Sequence, residues 1–168
     1  MDIQTFPVYY QSYIKKVPKG DPLDLLDLGV KETIKTMVMV TEEKANWAYA
    51  EGKWSIKDIV QHLIDTERIM SFRALSFARG EANKISGYDH DAYVTAAVAN
   101  GRTLKKLLEE LKRLRVSTID LFKSFTPEML ENKGNANGVD FTAGQFMYIL
   151  IGHEIHHMEV VVQRYLNQ

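Results

Sequence analysis

Between positions 104 and 125 the apolar residues fall at Leu104, Leu107, Leu108, Leu111, Leu114, Leu121, Phe122 and Phe125, with Lys105, Lys106, Glu109, Glu110, Lys112 and Arg113 between them. Spacings of three and four match the period of an α-helix with one buried face, so this segment reads as a structural amphipathic helix opened by Thr103. The same period runs through Ile56, Ile59, Val60, Leu63 and Met70. There it starts at Ser55, with Asp58 three residues on as a variant capping box, and stops at Gly80. An earlier helix, entered through Asp21 and Pro22, carries Leu23, Leu26, Leu28, Ile34, Met37 and Val38. A last one opens at Thr142 and takes Phe146, Leu150, Val160 and Tyr165 almost to the end of the chain. Four such helices predict an all-α fold, a four-helix bundle.

The intervening segments qualify this picture. Residues 1–20 hold Pro7, Tyr9, Tyr10, Tyr13 and Pro18 without a clear period and read as an arm packed on the bundle through its aromatics. Residues 80–102 form a connection longer than a helical hairpin needs, which predicts that the second and third helices run parallel with a crossover between them. A short helix is expected within it, near residues 89–99. The Gly- and Asn-rich stretch 132–140 reads as a surface loop. With 168 residues, 45% hydrophobic and 26% charged, the chain has the size and balance of one globular domain spanning 1–168.

Charge and cysteine content narrow the function. Lys+Arg number 21 against Asp+Glu 22, a net charge of −1 that gives no electrostatic attraction to nucleic acid or anionic lipid. No cysteine is present, so disulfides, thiolate metal sites and a sulfur nucleophile from the chain are excluded, and thiol chemistry would need an external thiol. The longest apolar run, 146–151, is far short of the ~20 residues that span a bilayer, and no basic leader precedes an apolar core. A cytoplasmic location is expected.

Chemistry concentrates in the histidines. Phe146, Leu150, His153, His157, Val160 and Arg164 form one stripe of the last helix, so two imidazoles interrupt an apolar seam. Leaving a buried imidazole nitrogen unsatisfied costs about 1–3 kcal/mol, and a shared metal ion would satisfy both rings. The ordinary alternative is a hydrogen bond from each ring to a core carbonyl or carboxylate. His62, at the border of the second helix's apolar face beside Ile59, Thr66 and Ile69, can complete a three-histidine set. His156 is a rival to His157 but points about 100° away from it, and His90 falls in the connector as an exposed loop residue. Residues 153–157 also satisfy H-E-x-x-H, with Glu154 as the water-activating base of a peptidase, but the third ligand such enzymes take from further downstream is missing. Three imidazoles leave a coordination position open, the arrangement of catalytic zinc sites, and nickel, iron or manganese would also fit.

Three strings, KWSIKDIVQHLIDTERIMSFRALSFARGE, GYDHDAYV and GHEIHHMEVVVQRYL, together resemble the DinB/YfiT-like superfamily of bacterial metal-binding bundles over about residues 54–166. The resemblance implies helices in up-down-down-up order and one divalent ion on His62, His153 and His157. It also implies a range of activities: thiol transferases that use bacillithiol or mycothiol, related isomerases, and hydrolases, often dimeric. Asp65, Glu67, Arg68 and Arg73 resemble positions of the family and also suit helix-surface charges or interhelical ion pairs. Tyr88 and Asp89 either cover the site or form a turn. The leading expectation is a thiol S-transferase acting on a small molecule with zinc or nickel. The alternatives are a small-molecule hydrolase with Glu154 as base, and a metal-stabilised binding protein that pairs as a homodimer.

Overall fold

In a computed structural model, residues 2–167 are described. Eight helices are present among them: α1 (Val8–Ile14), α2 (Pro22–Met37), α3 (Glu42–Asn46), α4 (Ile56–Ala78), α5 (His90–Ala97), α6 (Leu104–Lys123), α7 (Pro127–Glu131) and α8 (Gln145–Val161). A hairpin of β1 (Lys133–Ala136) and β2 (Val139–Thr142) precedes α8, and a π-helical turn, Val162–Leu166, follows it.

Side-chain caps fix the starts of the long helices. Asp21 accepts from the N–H groups of Leu23 and Asp24 with Pro22 at the first helical position, and Ser55 and Asp58 form a reciprocal capping box at α4. Thr103 accepts from Lys106 N–H to open α6, and Asp89 caps the crossover helix α5. On α2 the buried stripe is Leu26, Val30, Thr33 and Met37, whereas Leu28 and Val38, expected in the core, face solvent. Phe125 is buried but lies beyond the end of α6.

Two expectations are corrected near the last helix. Residues 132–140 do not form an open loop. Lys133–Ala136 pairs antiparallel with Val139–Thr142, and Asn137 and Gly138 take positive φ values of 54° and 77° in the two-residue turn. The hairpin is anchored because Ala136 and Phe141 enter the core. Nor does Thr142 cap α8: it ends β2, and its N–H donates to the Gln145 side chain at 3.0 Å. The next two N–H groups, of Ala143 and Gly144, bond Asn132 and Leu130 carbonyls, so a tight link from hairpin to helix replaces the side-chain cap.

Helix α4 packs against α6 and α8, and α2 packs against the same two, so α2 and α4 occupy one diagonal of the bundle. Contacts ascend together along α4 and α6, from Gln61–Arg102 through Arg68–Glu110 to Ser71–Thr118, which makes that pair parallel. His62 meets His153 while Phe77 meets Phe146, so α4 and α8 are antiparallel. Glu42, just past α2, accepts from Leu104 N–H at the start of α6, which sets α2 antiparallel to α6. The order is therefore up-down-down-up, and the parallel pair is joined by the crossover that contains α5. No helix among the described residues is long and apolar enough to cross a membrane.

Candidate functional site

His153 and His157, one turn apart on α8, project toward α4, and the antiparallel crossing brings His62 opposite them. The Nε2 of His153 lies 3.0 Å from His62 Nε2 and 3.1 Å from His157 Nε2, and the three ligand atoms all fall within 4.8 Å of one another. An imidazole nitrogen offers one lone pair or one proton, so His153 can satisfy only one of these neighbours with a well-aligned hydrogen bond. Ligands held tetrahedrally at 2.0–2.1 Å from one zinc ion would have nitrogens roughly 3.3 Å apart, close to the spacing seen.

Burial makes these rings neutral. It lowers the His62 pKa to about 4, with a further contribution from His90, and lowers that of His157 to about 3, with contributions from the neighbouring histidines. His153 is held well below the ordinary histidine range, again chiefly by burial and then by His157 and His62. All three lone pairs are therefore available to a cation at neutral pH.

Aromatic residues from outside the two helices hold the rings. Trp54, just before α4, packs on His62 at 4.7 Å between centroids and stacks on His157 at 6.1 Å. Tyr13 of α1 sets its edge against His153 and His156, at 5.6 and 5.1 Å. This close seating of α1 requires Gly152, since a Cβ there would lie 2.4 Å from the Tyr13 carbonyl oxygen. His156 thus packs on the arm rather than joining the cluster. The histidines form one wall of a cavity of about 390 Å³, whose other lining includes Tyr10, Thr66, Arg73 and Tyr88 and, among the described residues, no carboxylate.

His90, expected in an exposed loop, starts α5 and reaches the cavity, its ring 6.0 Å from those of both His62 and Trp54. Tyr88 lines the cavity, its hydroxyl 2.9 Å from that of Thr66, whereas Asp89 serves as a helix cap. Asp65 and Arg68 lie in a surface ion cluster with Glu110 and line a different groove.

Glu154 is neither solvent-facing nor poised to activate water. Helical geometry turns it about 100° from His153 toward the bundle axis, where Arg115 Nη1 donates to it at 2.9 Å and Thr33 Oγ1 at 2.7 Å, one to each carboxylate oxygen. Arg115 also makes a two-pronged ion pair with Glu67, both bonds 2.9 Å, and donates to the Leu26 carbonyl at 2.6 Å. Burial opposes the guanidinium charge, but Glu154 and Glu67 more than offset this and raise its pKa further. Arg115 thus ties all four bundle helices together beside the histidines. Its position four residues after Leu111, on the apolar stripe of α6, was the available signal for it.

A family model for the DinB superfamily matches residues 25–161, from α2 to the end of α8. A search of curated proteins finds no match. Among solved structures, YfiT from Bacillus subtilis, described as a probable metal-dependent hydrolase with an unusual four-helix bundle topology, aligns with a TM-score of 0.77 at 15% identity. The alignment covers 90% of this chain and 92% of that one, a likeness of fold. The matched segment contains the four bundle helices and all three converging histidines, and the chain belongs to the DinB superfamily.

Proposed function

We propose that the chain is a metal-dependent enzyme that transfers an external low-molecular-weight thiol to a small electrophilic molecule, with one divalent ion, zinc or nickel, on His62, His153 and His157. The observation that carries this reading is the convergence of three neutral imidazole nitrogens on the wall of a cavity that no carboxylate of the described residues lines. An ion held there would lower the pKa of a coordinated thiol or water and so supply a nucleophile at neutral pH. Trp54 and Tyr13 fix the imidazole orientations, and burial keeps the rings unprotonated. Glu154 is committed to Arg115 and Thr33, and no carboxylate among the described residues lines the cavity to act as a base, which favours a nucleophile more acidic than water. The chain has no cysteine, so the thiol comes from outside. His90, which lines the cavity with its ring 6.0 Å from that of His62, is placed to receive the thiol's proton.

A second reading, small-molecule hydrolysis, is favoured by the description of YfiT and uses His90 as the base. The deciding experiment starts with elemental analysis of untagged protein and its single His→Ala variants at 62, 153, 156 and 157. Near-stoichiometric metal, lost in all but the His156→Ala variant, is expected. Conjugation of electrophiles with a panel of small thiols then tests transfer, and ester and amide panels without thiol test hydrolysis. A protein that takes up no zinc, nickel or manganese on reconstitution refutes both readings.

A further inference from the structure

Arg73 lies eleven residues after His62 on α4, close to three full turns and about 16 Å along the same face. The sequence allowed it to be a helix-surface charge; the structure buries it at 3% exposure and makes it line the histidine cavity. Its Nη2 donates to the Ser86 carbonyl at 3.1 Å, its Nη1 faces the Met70 sulfur at 3.8 Å, the Tyr10 hydroxyl lies close enough to feel its charge, and its buried Nε has no partner. Tyr88 stands beside it, ring centroid 5.9 Å from the guanidinium carbon. Arg73 takes part in no ion pair among the described residues.

Arg115 provides the internal contrast. It is equally buried, yet two carboxylates and four short hydrogen bonds satisfy it. A buried guanidinium without a counter-charge is unfavourable unless something supplies one, and its planar fork matches a carboxylate or phosphate. We infer that the cavity takes a small molecule carrying an anionic group, carboxylate or phosphate, which Arg73 binds at the end remote from the histidines. What happens at the histidine end rests on the function proposed above.

The test uses zinc-treated full-length protein and three ligands of one chain length: 6-mercaptohexanoate, 6-mercaptohexyl phosphate and the neutral 6-mercaptohexanol. Affinities come from calorimetry, and the Arg73 Nε–Hε resonance reports contact with the anion. At least one acid should bind about tenfold or more tightly than the alcohol and shift that resonance, the better acid naming the group. In Arg73→Gln the advantage should fall below about twofold, with Arg73→Lys retaining part of it. Equal binding of acids and alcohol by wild type, with Arg73 unmoved, overturns the inference whatever the variants do. Hexanoate on metal-free protein separates the two layers. If it moves Arg73 while adding a thiol changes nothing, the anion site stands and the metal reading falls. If the mercaptoalcohol binds only zinc-loaded protein and the acids gain nothing, the metal reading stands and this inference falls.

Discussion

Replacing Arg115 with leucine would leave Glu67 and Glu154, at 1% and 5% side-chain exposure, without their counter-charge. Three charge-assisted bonds to carboxylates and one to the Leu26 carbonyl would be lost together. Removing one partner of a buried ion pair costs about 3–5 kcal/mol, and serving two carboxylates places this site at the upper end. With a urea dependence of about 2 kcal/mol per molar, that loss lowers the unfolding midpoint by roughly 2.5 M. Replacing all three residues by leucine should recover most of it, because the desolvation of the charges disappears with them. The assay is equilibrium urea unfolding at neutral pH, with far-UV circular dichroism and tryptophan fluorescence required to coincide. A midpoint drop below about 0.5 M for Arg115→Leu, or a triple variant weaker than the single one, would show that the network does not hold the helices as argued.

Other expectations concern the histidines, the arm and the caps. In metal-free protein His62 takes up its proton near pH 4 rather than 6.5, so the unfolded chain binds the extra proton between these values. Stability is then full above about pH 6.5 and falls on acidification, by about 3 kcal/mol from His62 alone. Urea midpoints that stay level from about pH 7 to about pH 4.5 would contradict this. Zinc at a hundred times its dissociation constant should stabilise the protein by about 2.7 kcal/mol, seen as a thermal shift of roughly 5–10 °C that vanishes in His153→Ala. Gly152→Ala, which drives a Cβ against the Tyr13 carbonyl, should cost about 1–3 kcal/mol and lower the melting temperature; an unchanged value would mean that α1 is not seated as described. Ser55→Ala removes the α4 cap and a hydroxyl bond to Asn100 and should cost about 1 kcal/mol, a fall of about 0.5 M in the urea midpoint.

Local chemistry made much of this structure readable. Asp21, Ser55 with Asp58, and Thr103 each declare a helix start through one side chain bonding a nearby N–H, so neighbouring residues suffice to find them. The convergence of His153 and His157 follows from helical spacing alone. What escaped depends on partners far along the chain. Thr142 has the identity of a cap but is held in a strand by Lys133, its register partner. The hairpin carried an Asn-Gly turn signal at 137–138, obscured because its strands are only four residues long and poor in β-branched residues. Arg73 suits a helix surface until the cavity is seen beside it, and Arg115, though on an apolar stripe, gains its partners Glu67 and Glu154 only through the tertiary fold. Leu28 and Val38 remain exposed because α2 is turned so that Leu26 and Val30 face inward.

The up-down-down-up order also bears on how the chain reaches this state. Helices α2 and α4 are diagonal, α4 and α6 are parallel, and α6 and α8 are diagonal, so no two successive bundle helices make an antiparallel hairpin that could form early from local contacts. The Thr33–Glu154 bond closes a separation of 121 residues, and the His62–His153 contact one of 91. Each such closure requires chain entropy to be lost before a stabilising contact is gained. The bundle is therefore expected to fold slowly for a helical protein of its size, with the histidine cluster assembling only as the last helices dock.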